Sequence, residues 1–124
     1  VVLDTPTIAW QEGDDLPSIV RRYARTQGSR TALLQGDRRV TWEALAERID
    51  RIASALALSG TRKGDRVAVL SDNSIEYAEV FFGALRAGAC VVPLTTSAAK
   101  DALERMMADC GARTLFASAK YGEV

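Results

Sequence analysis

From Gly60 onward the chain alternates short apolar runs with amphipathic stretches, and few folds accept that order. Val67-Ala68-Val69-Leu70 is a continuous apolar run, which suits a strand covered on both faces. Ser71-Asp72-Asn73-Ser74 then turns the chain and caps a helix running to about Ala87, where Gly88 stops it. Its main stripe is Ile75, Ala78, Phe82 and Leu85, and Tyr77, Val80, Phe81 and Ala84 widen it, so this helix is expected to be the most buried. Ala89 to Leu94 reads as the next strand, with Pro93 near its end, where a missing N–H is tolerated. Thr95-Thr96-Ser97 is expected to cap a helix from Ala98 to Cys110, with Ala99, Ala102, Leu103, Met106, Met107 and Cys110 facing inward and Gly111 ending it. Arg113 to Ala117 supplies a third strand. Right-handed crossovers then place all three strands in one parallel sheet flanked by helices, a β-α-β-α-β unit of the α/β class.

Ahead of this unit the pattern predicts a helix, a small hairpin and a long helix. Residues 1–15 carry Pro6, Gly13, Asp14 and Asp15 without sustained periodicity and read as an extended lead-in arm. Leu16-Pro17-Ser18 opens a helix whose apolar face is Ile19, Val20, Tyr23 and Ala24, which Gly28 ends; Arg21, Arg22 and Arg25 are assigned to its solvated side. Gly36-Asp37 turns a hairpin between Thr31–Gln35 and Arg39–Thr41. Thr41 then caps a helix to about Ser59, with Trp42, Leu45, Ile49, Ile52 and Leu56 on one stripe and Glu47 four residues before Arg51. The subdomain proper is bounded at residues 16–118, with 119–124 as a truncated polar tail. The missing initial Met suggests an excised or processed segment.

Composition removes much chemistry. The 124 residues contain no His, which excludes Ser-His-Asp and Cys-His triads, His-containing metal sites and imidazole acid/base work. Sixteen basic and sixteen acidic residues cancel, so no net field draws nucleic acid or an anionic membrane. Cys90 and Cys110 each sit in an apolar run and read as buried free thiols of a reducing cytoplasm. No run approaches the ~18 residues of a membrane span, and no signal-peptide pattern opens the chain. Neither glycine-rich phosphate motif occurs: Gly83 and Gly88 have the outer spacing of a phosphate loop, but Ala89-Cys90 stands where Lys-Ser is needed. The turns Ser71–Ser74 and Thr95–Ser97 fall at carboxyl ends of parallel strands, where open α/β sheets place ligands, yet capping explains the same residues. Asp72 has no evident partner to tune it as a base, and Lys63, Lys100 and Lys120 occupy turn, helix-surface and tail positions. No catalytic, cofactor-binding or metal residue is therefore assigned within the chain.

The ordered set Thr41-Trp42-Glu43-Ala44-Leu45, Gly64-Asp65-Arg66-Val67-Ala68-Val69-Leu70, Asn73-Ser74, Ala84-Leu85-Arg86-Ala87-Gly88-Ala89, Val92-Pro93-Leu94 and Asp109-Cys110-Gly111-Ala112-Arg113 resembles the N-terminal region of adenylate-forming enzymes. That superfamily holds acyl-CoA synthetases, luciferases and the adenylation domains of peptide synthetases. The resemblance runs from about Leu16 to Ser118. Val91-Val92-Pro93-Leu94-Thr95-Thr96 departs from the Tyr-Val-Pro-Leu-Asp-Pro typical of peptide-synthetase domains, which favours an acyl-CoA synthetase. The resemblance implies a parent enzyme that uses ATP, Mg²⁺ and CoA to turn a carboxylic acid into an acyl-adenylate and then a thioester. The family's phosphate loop, adenine segment, ribose Asp and mobile-domain Lys have no counterparts here, so the segment alone is expected to be inactive scaffold. The alternative is a self-sufficient α/β interaction or regulatory module. As a fragment, the chain is expected to self-associate through an uncovered sheet, unless Ile8 and Trp10 of the arm fold back over it.

Overall fold

A computed structural model describes residues 2–3 and 10–122. Ile8 lies outside the described residues. Two three-stranded sheets share the helices between them.

The first half begins with β1 (Val2–Leu3) and α1 (Leu16–Gln27), followed by β2 (Thr31–Gln35), β3 (Arg38–Thr41) and α2 (Trp42–Leu58). The hairpin gains a third strand that the sequence left unpaired: β1 runs antiparallel to β2, with Val2 opposite Leu34. The turn at Gly36 has φ of +58°, a conformation that side chains rarely adopt. Asp15 and Ser18 form a reciprocal capping box at the start of α1, and the Thr41 hydroxyl accepts from the Ala44 N–H at 3.2 Å to start α2. Ile19, Val20 and Tyr23 of α1 join Ala32, Leu33, Val40, Trp42, Leu45, Ile49 and Ile75 in one core, where the Tyr23 and Trp42 rings stack with centroids 4.9 Å apart.

The second half is β4 (Arg66–Leu70), α3 (Ile75–Arg86), β5 (Cys90–Pro93), α4 (Lys100–Cys110) and β6 (Thr114–Ala117). The strands are parallel in the order β5-β4-β6. The expected fold class is thus the observed one. Alternation along the buried β4 sends Val67 towards Leu56 of α2 and Ala84 of α3, and Ala68 and Leu70 towards Leu103 of α4. The sheet therefore has α2 and α3 on one face and α4 on the other.

Several expectations change. Gly28 ends α1 in the right-handed helical region, and its value is close approach: a Cβ there would lie 2.6 Å from the Ala24 carbonyl oxygen and 3.4 Å from the Cβ of Glu43. Arg22 is not solvated, because its guanidinium holds Asp14 at 2.8 and 2.9 Å. The α3 stripe is broader than its burial: Ile75, Glu79, Gly83 and Ala84 are buried, while Tyr77, Phe81 and Phe82 are only half-buried, Phe82 packing against the first core. Cys90 is exposed because β5 is an edge strand, and Cys110 is half-buried. In the turn before α4, the Thr95 and Ser97 hydroxyls bond each other at 2.9 Å, and Ala99 occupies the cap position without a side-chain bond, so α4 starts at Lys100. Of its inward stripe only Leu103 is buried. Trp10 is 62 % exposed rather than folded onto the sheet. Ala119–Tyr121, read from the sequence as part of a truncated polar tail, is a 3₁₀ turn tied to the body.

Candidate functional site

The parallel strands deliver their carboxyl ends to one side of the molecule, the usual ligand end of an open α/β sheet. A cleft of about 560 Å³ opens there between the β4–α3 loop and the segment after β6. Its walls are apolar, from Val69, Tyr77, Val80 and Phe116, and its rim is polar, from Ser71, Asp72, Asn73, Ser118 and Lys120. The structure thus joins the Ser71–Ser74 turn to the end of β6. Thr95–Ser97 stays apart, since it follows β5 on the far side of β4.

Several polar groups at the mouth have an occupation. Ser74 caps α3 by accepting from the Tyr77 N–H at 3.0 Å, and Gln35 reaches across from β2 to accept from the Ile75 N–H at 3.0 Å. The Ala78 N–H bonds the Ser74 carbonyl, and the Glu76 N–H meets its own carboxylate. The first amides of α3 are therefore committed within the chain and do not form a phosphate cradle. Gln35 was missed by sequence reasoning because its partner lies 40 residues away.

Asp72 acquires the partners that the sequence could not supply. Lys120 Nζ donates to Oδ2 at 2.8 Å and the Tyr121 hydroxyl donates to Oδ1 at 2.7 Å. The Lys120 bond first, and the Tyr121 bond second, hold the Asp72 carboxyl below its ordinary pKa. The bond to Asp72 first, and Tyr121 second, raise Lys120 above its ordinary pKa. A stabilised carboxylate is a weak base and a stabilised ammonium a poor nucleophile, so the cluster is a clamp between loop and tail rather than an acid/base pair. Lys63 lies against Gly88 and Lys100 borders a groove beside α4. Gly83 is buried against Ile52 within the α2–α3 contact, which is why the phosphate-loop spacing has no meaning here. Among the described residues no cluster of three metal-ligating side chains occurs, and no helix is long and apolar enough to cross a membrane.

A fold of this order, with its ligand-end turn and tightly committed loops, is the architecture seen at the front of acid-activating ligases. The family model for AMP-binding enzymes matches residues 20–123, and the chain belongs to that family. Feruloyl-CoA synthase of an Amycolatopsis species is 36 % identical over 102 residues, covering 82 % of this chain and 21 % of that protein. A 3-[(3aS,4S,7aS)-7a-methyl-1,5-dioxo-octahydro-1H-inden-4-yl]propanoyl:CoA ligase of Rhodococcus jostii is 40 % identical over 93 residues, covering 72 % of this chain and 18 % of that one. Among solved structures, the inhibitor-bound N-terminal domain of FACL13 from Mycobacterium tuberculosis superposes with a TM-score of 0.81 at 29 % identity, over 86 % of this chain and 27 % of that one. The NpsA N-terminal subdomain of Klebsiella oxytoca, in complex with 3-hydroxyanthranilyl-AMSN, gives 0.75 at 26 % identity, over 82 % and 26 %. This chain thus spans about a fifth of the length of the curated relatives it matches.

Proposed function

We propose that this chain is the N-terminal scaffold of an ATP-dependent acid–thiol ligase. The observation that carries the reading is the family match over residues 20–123, in register with the same order of elements as solved N-terminal domains of such ligases. In the parent reaction a carboxylate oxygen attacks the α-phosphorus of ATP and expels pyrophosphate. The CoA thiol then attacks the acyl carbon and AMP leaves. The residues of the carboxyl-end cleft do not fit Mg²⁺ or the phosphate chain of ATP, since the α3 amides there are committed and no acidic cluster exists among the described residues. Those duties fall to parts of the parent outside this chain, and this segment supplies the α2–α3–β4 platform that braces them. The acid is left open by the same reasoning. The free thiols of Cys90 and Cys110 suit a reducing cytoplasm.

Pyrophosphate release with ATP, Mg²⁺ and a panel of carboxylic acids tests this. The chain alone should stay at the no-protein blank. A chimera of the Amycolatopsis synthase carrying residues 20–123 of this chain in the matched region should release pyrophosphate with that enzyme's own acid. A chimera that folds but stays silent overturns the scaffold role. Release by the chain alone that Asp72→Ala abolishes would move catalysis into the cleft.

A further inference from the structure

The opposite end of the parallel sheet carries a second cleft of about 560 Å³, and its chemistry differs from that of the first. Arg62, Arg66 and Arg113 line it, together with the hydroxyl-bearing Thr61 and Thr114. Parallel pairing brings the arginines to the same end of the sheet: the β4–β6 ladder begins with Val67 opposite Thr114, and Arg66 and Arg113 each precede that first pair by one residue. Adjacent strands lie about 4.8 Å apart, and like charges brought near one another across them are destabilising. The fold nevertheless leaves the pair without a carboxylate partner.

Elsewhere both states occur, and Arg21 and Arg25 of α1 likewise hold no carboxylate, but they do not converge on a cleft. Arg38, Arg48, Arg51, Arg86 and Arg105 each hold a carboxylate, Glu76, Glu79, Glu47, Asp50 and Asp101 respectively. Among the described residues, the guanidiniums of Arg62, Arg66 and Arg113 make no ion pair and no hydrogen bond. The one acid in the cleft, Asp65, already accepts from the Arg62 backbone N–H at 2.8 Å and closes its own loop. The carbonyl ends of α2 and α4 border the cleft too, where backbone N–H groups of Ser59, Thr61, Gly60 and Gly111 take the carbonyls of Ala55, Leu56, Ala57, Met107 and Ala108. Capping of helix ends therefore does not employ the guanidiniums.

We propose that this cleft binds a small anion with two or more phosphoryl charges, gripped by Arg66 and Arg113 with Arg62 closing the side. Guanidinium forks match phosphoryl oxygens bidentately, the threonine hydroxyls can donate beside them, and a concave polar pocket suits a compact ligand. The site is independent of the cleft at the carboxyl ends and of the ligase reading.

Inorganic pyrophosphate titrated into ¹⁵N-labelled chain is the test. The Nε–H resonances of Arg66 and Arg113 should shift saturably, and those of Arg21 and Arg25, also unpaired but on α1, should not. Arg66→Gln with Arg113→Gln should weaken binding roughly tenfold or more, the size of a lost charge-assisted hydrogen bond. Arg21→Gln with Arg25→Gln removes the same charge and should change it less than about twofold, as exposed charges at a distance are screened. Equal loss in both variants, or no saturable shift in the wild-type chain, overturns the proposal. Vesicles of phosphatidylcholine with phosphatidylglycerol form a further arm: sedimentation that depends on Arg66 and Arg113, without pyrophosphate binding, would reassign the patch to a lipid surface and overturn the small-anion site.

Discussion

The two halves of the molecule contain similar apolar residues but bury them to different depths. Around the hairpin, α1, β2, β3 and α2 close on one another, and Leu33, Trp42, Leu45 and Ile49 lose nearly all contact with solvent. In the parallel half only β4 and the inner edge of α3, at Ile75 and Ala84, are so treated. The neighbours of β4 alternate: Cys90 and Pro93 of β5 are exposed, Leu115 of β6 is 44 % exposed, and α4 buries Leu103 alone. Hydrophobic pattern determines which face turns inward, but the supply of covering elements determines whether that face is dry. The first half, with α3 laid against it through Ile75, has enough cover, and the second half does not.

The largest expected effect is in the covered half. Trp42 is 1 % exposed and stacked on Tyr23, so Trp42→Ala should cost ~3–5 kcal/mol, a large part of the ~5–15 kcal/mol that holds a domain. Phe82 is half-exposed, with its edge contact to Phe81 at 6.0 Å, and Phe82→Ala should cost clearly less, about 1–2 kcal/mol for partial burial. Urea midpoints measure both. Equal losses would break the contrast between the halves.

Next comes the seam where α2 meets α3. A Cβ at Gly83 would sit 2.5 Å from Cγ2 and 2.7 Å from Cβ of Ile52. Ile52 is β-branched and stiff, so it cannot rotate away. Gly83→Ala should lose about 1–3 kcal/mol through overpacking, against the ~0.5–1 kcal/mol that Ala normally gains over Gly in a helix. Ile52→Ala removes the Cγ2 contact but keeps the Cβ at 2.7 Å, so the double variant should recover only part of the loss. If Gly83→Ala stabilises the chain, the helices are less tightly seated than the distances state.

What the sequence disclosed follows the same division. Strand β4, the caps Thr41 and Ser74 and the α2 stripe are local facts, written in spacing and cap chemistry within one turn of chain. Exposure of Cys90 was not local, because it depends on β4 being the middle strand. Arg22 was assigned to solvent because its partner Asp14 lies before the helix and is returned to it by a turn. Half of the candidate cleft was legible for the same reason: residues 71–74 announce a strand-to-helix turn, whereas Phe116, Lys120 and Tyr121 reach it only through strand order.

The open half should also show itself in association. β6 is an edge strand with Leu115 in solvent, and the net charge of zero opposes pairing little. Light scattering of the isolated chain over a concentration series should find species larger than the monomer. Leu115→Lys should reduce them, while Leu58→Lys, at the 90 % exposed end of α2, should not. A chain that stays monomeric throughout would favour a self-sufficient module over a ligase segment.

The smallest effect concerns the clamp that ties the tail to the open half. Asp72 has a folded pKa below its unfolded value because Lys120 and Tyr121 bind the carboxylate. The sign follows from linkage: its contribution is fully present above the ordinary carboxylate range, near pH 4, and is lost as pH falls through the lower folded value. The groups are exposed, so the gain is local order rather than global stability. Carboxyl-detected NMR should therefore place Asp72 below an unperturbed Asp, and Lys120→Gln should move it up, with Tyr121→Phe moving it less. Amide exchange of Ala119–Tyr121 should quicken on acidification while the core amides of α2 stay protected. Should Asp72 titrate normally in the wild-type chain, the 3₁₀ turn is held by backbone alone, and the cleft at the carboxyl ends loses the wall that separates it from solvent.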